Sequence, residues 1–164
     1  MMQKALFGAL AGISATMAMT AAMRHLFAHL DGGNRYPLPP RELTEEMLPS
    51  SKRALPGLTV LAHFGYGALA GALYGLFPGR KRHGALYGVA VWAVSYLGWI
   101  PAMHILKPAT RHPHERNFVM LAAHLVWGTA LAFGLNELNR SANDVFTAGQ
   151  DKDRARPAPL RRHA

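Results

Sequence analysis

Four stretches of this chain contain no Asp, Glu, Lys or Arg: residues 5–23, 58–77, 84–106 and 117–135, of 19, 20, 23 and 19 residues. All 18 Lys and Arg and all 9 Asp and Glu lie outside them. An α-helix needs about 20 apolar residues to cross a hydrocarbon core about 30 Å thick, and in lipid its backbone must satisfy its own hydrogen bonds. The pattern predicts an all-α polytopic membrane protein with four transmembrane helices, and it excludes an ordinary soluble enzyme. The mean hydropathy of +0.03 is a cancellation between a charge-free half and a charged half.

The transmembrane domain is expected over residues 1–139. Residues 140–164 alternate charges with Ala and Pro and are expected to form a disordered basic tail. The net charge of +9 suits anionic lipid headgroups, so the bilayer is the expected partner. No nucleic-acid-binding motif accompanies the charge, and no nucleic-acid partner is expected. The chain has no cysteine, which excludes disulfides and thiolate chemistry. The first apolar run is longer than a signal-peptide core. It ends in Met23-Arg24-His25 rather than a small-x-small site, so a retained helix is expected.

Orientation follows from Lys and Arg in short connections. Arg80, Lys81 and Arg82 crowd the very short turn between the second and third spans. That turn, and with it both termini, is expected on the cytoplasmic side.

The chain repeats itself weakly. Gly8-Ala9-Leu10-Ala11-Gly12-Ile13 parallels Gly84-Ala85-Leu86-Tyr87-Gly88-Val89, and Ala62-His63-Phe64-Gly65-Tyr66-Gly67 parallels Ala123-His124-Leu125-Val126-Trp127-Gly128. The order, a glycine helix then a histidine helix, is the same in both halves. It predicts two similar tandem hairpins, a parallel repeat of the kind found in some transporters. Gly8/Gly12, Gly67/Gly71/Gly75 and Gly84/Gly88 are small-xxx-small (GxxxG) pairs, and Gly128 follows His124 by one turn. Such positions let helix backbones approach closely, within one bundle or between copies in a homo-oligomer.

His63, His104 and His124 lie inside the predicted spans, and alternating topology puts all three in the leaflet opposite the cytoplasm. An ionisable residue in a span usually faces the bundle interior. Three readings stay open: interhelical hydrogen bonds, a proton-responsive or transport-related cluster, and a three-histidine metal site of the kind that holds zinc. No cofactor is otherwise expected, and no catalytic residue is proposed, because no nucleophile elbow, paired carboxylates or phosphate loop occurs. Pro101 predicts a kink near Gly98. In the first loop, two prolines precede an acidic turn. Leu43, Met47 and Leu48 would share one face of a short helix there, lying on the membrane surface or forming part of a solvated loop.

The segment Pro37-Leu38-Pro39-Pro40-Arg41 after a first span resembles the P-L-P-P-R segment of the YagU-like bacterial inner membrane proteins. A histidine-bearing second span, a glycine-led third span with a late proline, and Ala123-His124-Leu125-Val126-Trp127 follow in the same order. The resemblance covers about residues 5–135 and implies a multi-pass protein of the bacterial inner (cytoplasmic) membrane. It implies no substrate or reaction. A scaffold or assembly role, with the P-L-P-P-R loop and glycine faces as contact surfaces, is the alternative to a histidine-based one.

Overall fold

The structure, a computed structural model, describes residues 1–30, 39–47, 55–77 and 83–146. All regular structure among them is helical: α1 (Met2–Ala28), α2 (Pro39–Met47), α3 (Leu55–Leu76), α4 (Gly84–Ala102) and α5 (His114–Asp144), with a single 3-10 turn at Ala109–Arg111. Three of these, α1, α4 and α5, are long and apolar enough to cross a membrane. The 22-residue α3 is not among them, because its glycines, His63 and tyrosines dilute its apolar residues.

Glycine decides how the long helices meet. α1 runs antiparallel beside α3: a Cβ on Gly8 would lie 2.3 Å from the Gly71 carbonyl oxygen, and one on Gly12 2.3 Å from that of Gly67. Gly75 closes against the backbone of Lys4 in the same way. α4 and α5 form a second such pair, Gly84 on Gly128 and Gly88 on His124 and Gly128. Removing the side chains lets backbone meet backbone, where dispersion contacts replace the hydrophobic driving force that lipid does not supply. α5 also packs along α1, burying Ala11, Ala15, Ala123 and Leu131 to 2 % exposure or less. All the glycines of these motifs are therefore engaged within one chain.

α3 and α4 make no comparable contact. They are joined by two hydrogen bonds, Tyr87 Oη donating to the Ala70 carbonyl at 2.7 Å and Tyr66 Oη with Ser95 Oγ at 2.9 Å.

The kink in α4 falls where Pro101 directs it. The helix widens into a π-helical stretch over Val94–Trp99, with Gly98 off helical geometry at φ −108° and ψ −106°. Pro101 lacks the N–H that would hold the Leu97 carbonyl, and the wider turn absorbs the mismatch. The expected span of 84–106 is four residues too long. The helix stops at Ala102, and His104 takes a left-handed φ of 59°. At the other end, α5 continues through Asp144, so residues 140–144 of the expected tail are helical. Residues 147–164 of that tail, the Arg80–Arg82 turn, Pro37, Leu48 and Pro49 lie outside the described residues.

Candidate functional site

The close-packing glycines fall toward one end of α1, α3 and α4 and near the middle of α5. Gly8 and Gly12 occupy the first half of α1, Gly67 to Gly75 the second half of α3, Gly84 and Gly88 the start of α4, and Gly128 the middle of α5. In an antiparallel bundle these halves coincide. At the other end the facing residues are Met19, Tyr96, Trp99, Ile100 and Met120, and α4 bends away at its π-helical stretch. Large side chains and a bent helix hold the four helices apart. A cavity of about 340 Å³ opens between them, within the range of small-molecule sites.

α2 covers the wide end. Pro40, Leu43, Thr44 and Met47, spaced as one helical stripe, line the cavity, while Arg41, Glu45 and Glu46 face outward. The first-loop segment is thus a helix with its apolar stripe turned inward onto the bundle. Arg41 pairs with Glu45 on the outer face at 2.9 Å. On the inner side Glu42 accepts a bidentate pair of hydrogen bonds from Arg116 at the start of α5: Nη1 to Oε1 at 3.2 Å, and Nη2 to Oε2. Arg116 is 5 % exposed.

His63 and His124 both line the cavity. They are not hydrogen-bonded to each other. His124 is buried, and its Nδ1 donates to the Met120 carbonyl one turn back at 2.7 Å. The other nitrogen of a neutral ring that donates from Nδ1 is an acceptor, so Nε2 of His124 is a lone-pair site. Nε2 of His63 is buried with no hydrogen-bond partner among the described residues. Around them, Trp127 Nε1 donates to Thr16 Oγ1 at 3.1 Å, and Thr16 Oγ1 donates to the Gly12 carbonyl at 2.8 Å. Tyr87 stacks between Tyr74 and Trp127, with ring centroids 4.8 and 6.0 Å away.

The three expected histidines do not converge. His104 is exposed beyond the end of α4 and does not line the cavity. The helix stops at Ala102, and the left-handed turn at His104 carries that residue off the face it would have shared. No group of three His, Cys, Asp or Glu able to hold a metal occurs among the described residues, so the zinc site read from His63, His104 and His124 is not assembled. The sequence does not announce Glu42, Arg116 or the stripe of α2 as parts of one site. Their only signal in it is Leu43 and Met47 at helical spacing.

His112, in the turn before α5, senses this end of the bundle. Its Nε2 donates to the Lys107 carbonyl at 2.9 Å, and its ring meets Tyr96 edge-on at 6.2 Å. Burial, then the neighbouring Arg116 guanidinium, holds its pKa below the usual 6.5. The Lys107 carbonyl and Glu42 act the other way, and the Lys107 cation adds slightly to the lowering. Above pH 6.5 the ring is neutral folded or unfolded. As pH falls below 6.5 the unfolded chain binds the proton first, so the folded state loses stability until its own lower pKa is passed. Between pH 7 and 5 the melting temperature of the wild type should therefore fall more than that of His112→Gln, as measured by thermal unfolding in detergent. Parallel profiles would show that His112 does not contribute.

No family model, no curated protein and no solved structure matches this chain.

Proposed function

We propose that this is a four-span membrane protein, built of two similar tandem hairpins, whose cavity binds a small and mainly apolar molecule from the bilayer, with His63 and His124 as its polar contacts. One observation carries the reading: an apolar cavity with two histidines in its wall, covered by an amphipathic helix that a buried ion pair fastens. A proton-responsive role would use the same two imidazoles, but the largely apolar lining favours a ligand over a proton path. The glycine faces that a scaffold role would use are taken up inside the chain.

The fourth span is supported by packing. α3 runs alongside α1 from Lys4 and Gly75 to Thr16 and Gly67, so if α1 crosses the bilayer α3 crosses with it. Its glycines are hidden from lipid against α1 and need not be apolar. The two hairpins also reciprocate. The aromatic residue one turn beyond each histidine reaches a hydroxyl on the glycine helix of the other hairpin: Tyr66 to Ser95, Trp127 to Thr16. The likeness of the Pro37–Arg41 and His124–Trp127 strings to YagU-like proteins supports a place in a bacterial inner membrane.

The absence of native cysteine makes topology directly testable. With four spans and cytoplasmic ends, Met2→Cys, His83→Cys and Asn143→Cys should react with an impermeant maleimide only from the cytoplasmic side, and Arg111→Cys only from the other. If only α1, α4 and α5 cross, residues 83 and 111 exchange sides and the two termini separate.

The ligand reading is tested with Trp127 as reporter. It lines the cavity and is only 3 % exposed, so a brominated quencher reaches it only by entering. In Trp92→Phe/Trp99→Phe protein in lipid nanodiscs, 1-bromodecane should quench Trp127 saturably. Adding Val91→Phe, which fills the cavity without a second indole, is expected to abolish the saturable component. Quenching that only rises linearly with quencher in the bilayer would overturn the reading.

A further inference from the structure

We propose that the C-terminal end of α1 carries a second site, separate from the cavity: a two-histidine seat, His25 and His29, for a late divalent transition-metal ion, copper(II) most tightly.

The sequence places the donors. His25-Leu26-Phe27-Ala28-His29 sets two imidazoles four residues apart at the end of α1. Side chains at that spacing are neighbours on one helix face. It is also the spacing at which a zinc-enzyme helix offers two histidines to its metal. Both residues are exposed, and neither lines the cavity. They follow Arg24, the first charge after the uncharged stretch 5–23, so a hydrated ion can reach them at the edge of the span.

The rings lie as ligands of one ion would. With metal–nitrogen bonds of about 2.0 Å, two imidazoles on one ion have their centroids about 4.5 to 5 Å apart at square-planar or tetrahedral angles. The His25 and His29 centroids are 4.6 Å apart, with the planes tilted by 57° rather than stacked. His29 Nδ1 donates to the His25 carbonyl oxygen at 2.8 Å. That bond fixes the tautomer and leaves the lone pair on Nε2. Metal-binding histidines almost always make such a bond through the nitrogen that is not on the metal. The last carbonyls of α1 add the negative end of the helix dipole, which favours a cation there.

The donor set names the ion. Imidazole nitrogen suits copper, nickel and zinc, with copper(II) at the top of the affinity order, whereas magnesium and calcium take oxygen ligands. No third His, Cys, Asp or Glu joins the pair among the described residues, so the remaining positions fall to water or to a ligand from outside. Leu26 stands where a zinc hydrolase helix carries its glutamate, so the pair holds an ion without the base that hydrolysis needs.

The test is a copper(II) titration of the untagged full-length protein in detergent, against a competing chelator. Wild type should bind one ion through the pair. His25→Gln and His29→Gln should each weaken binding at least about tenfold, since losing even an outer partner of a metal-bound histidine costs that much. His112→Gln/His114→Gln removes as many imidazoles elsewhere and should leave the affinity unchanged, and excess magnesium should not compete. Pulsed electron paramagnetic resonance of the copper complex should count two equatorial imidazoles. Wild-type affinity in either single variant, or a count of one imidazole, would mean an adventitious ion only and would overturn the site.

Discussion

Replacing Gly71 by valine should detach α1 from α3, with a loss of stability of about 3 kcal/mol, the upper end of what overpacking costs. A Cβ at Gly71 would lie 2.4 Å from the Gly8 carbonyl oxygen and 2.7 Å from the Gly12 Cα. Both are backbone atoms, so no side chain can swing aside. The helices must separate along their length, which also loosens Gly12 against Gly67 and Gly75 against Lys4. Gly65, six residues earlier on the same helix, is exposed, and a Cβ there would meet nothing within 4 Å. Gly65→Ala should therefore be neutral, or stabilising by up to about 1 kcal/mol through helix propensity. Gly128→Val should repeat the Gly71 effect at the α4/α5 pair, where Gly84 and Gly88 approach just as closely. Denaturation in mixed detergent with helicity as the signal measures all three. Similar midpoints for Gly71→Val and Gly65→Ala would mean that backbone approach does not hold the hairpin.

That contrast also marks what a reader of the sequence can and cannot see. Runs of bilayer length without charge locate α1, α3, α4 and α5 to within a few residues at most ends, because lipid leaves a chain few alternatives. α5 is the exception, running nine residues past 135. Pro101 foretells the distortion at Gly98 because it acts on its own helix. Gly71 stands in the Gly67/Gly71/Gly75 spacing and Gly65 does not, so the sequence separates them, but which helix receives Gly71 is set only by the fold. Local geometry takes His104 out of its expected place: the π-helical stretch and the stop at Ala102 together remove the turn that would have carried it inward. The cavity depends on where the glycines end on four separate helices, a property of the set rather than of any one motif. Glu42 and Arg116 are 74 residues apart, and nothing at either position announces the other.

Glu42→Gln should open the wide end of the bundle while leaving the four long helices assembled. Arg116 is buried, and the Glu42 side chain is 20 % exposed. Removing one member of a buried pair strands the other charge, at about 3–5 kcal/mol when both are fully enclosed, so the lower end applies here. The glycine contacts lie at the far end and are independent of the pair, so the strain is relieved locally by release of α2. Thr44 reports it: it is 3 % exposed on the inner stripe, and Thr44→Cys in the otherwise cysteine-free chain should be nearly unreactive toward maleimide. Adding Glu42→Gln should raise its labelling rate at least about tenfold, the equivalent of 1.4 kcal/mol in the closing equilibrium. The double variant Glu42→Leu/Arg116→Met separates adhesion from charge. With no charge left to strand, apolar replacement of a buried pair is often neutral or stabilising, and Leu43 and Met47 still face the cavity. Thr44→Cys should then be slow to label again. If the double variant labels as fast as Glu42→Gln, the ion pair itself holds α2 closed. If Glu42→Gln does not accelerate labelling, the pair is not the fastening of this helix.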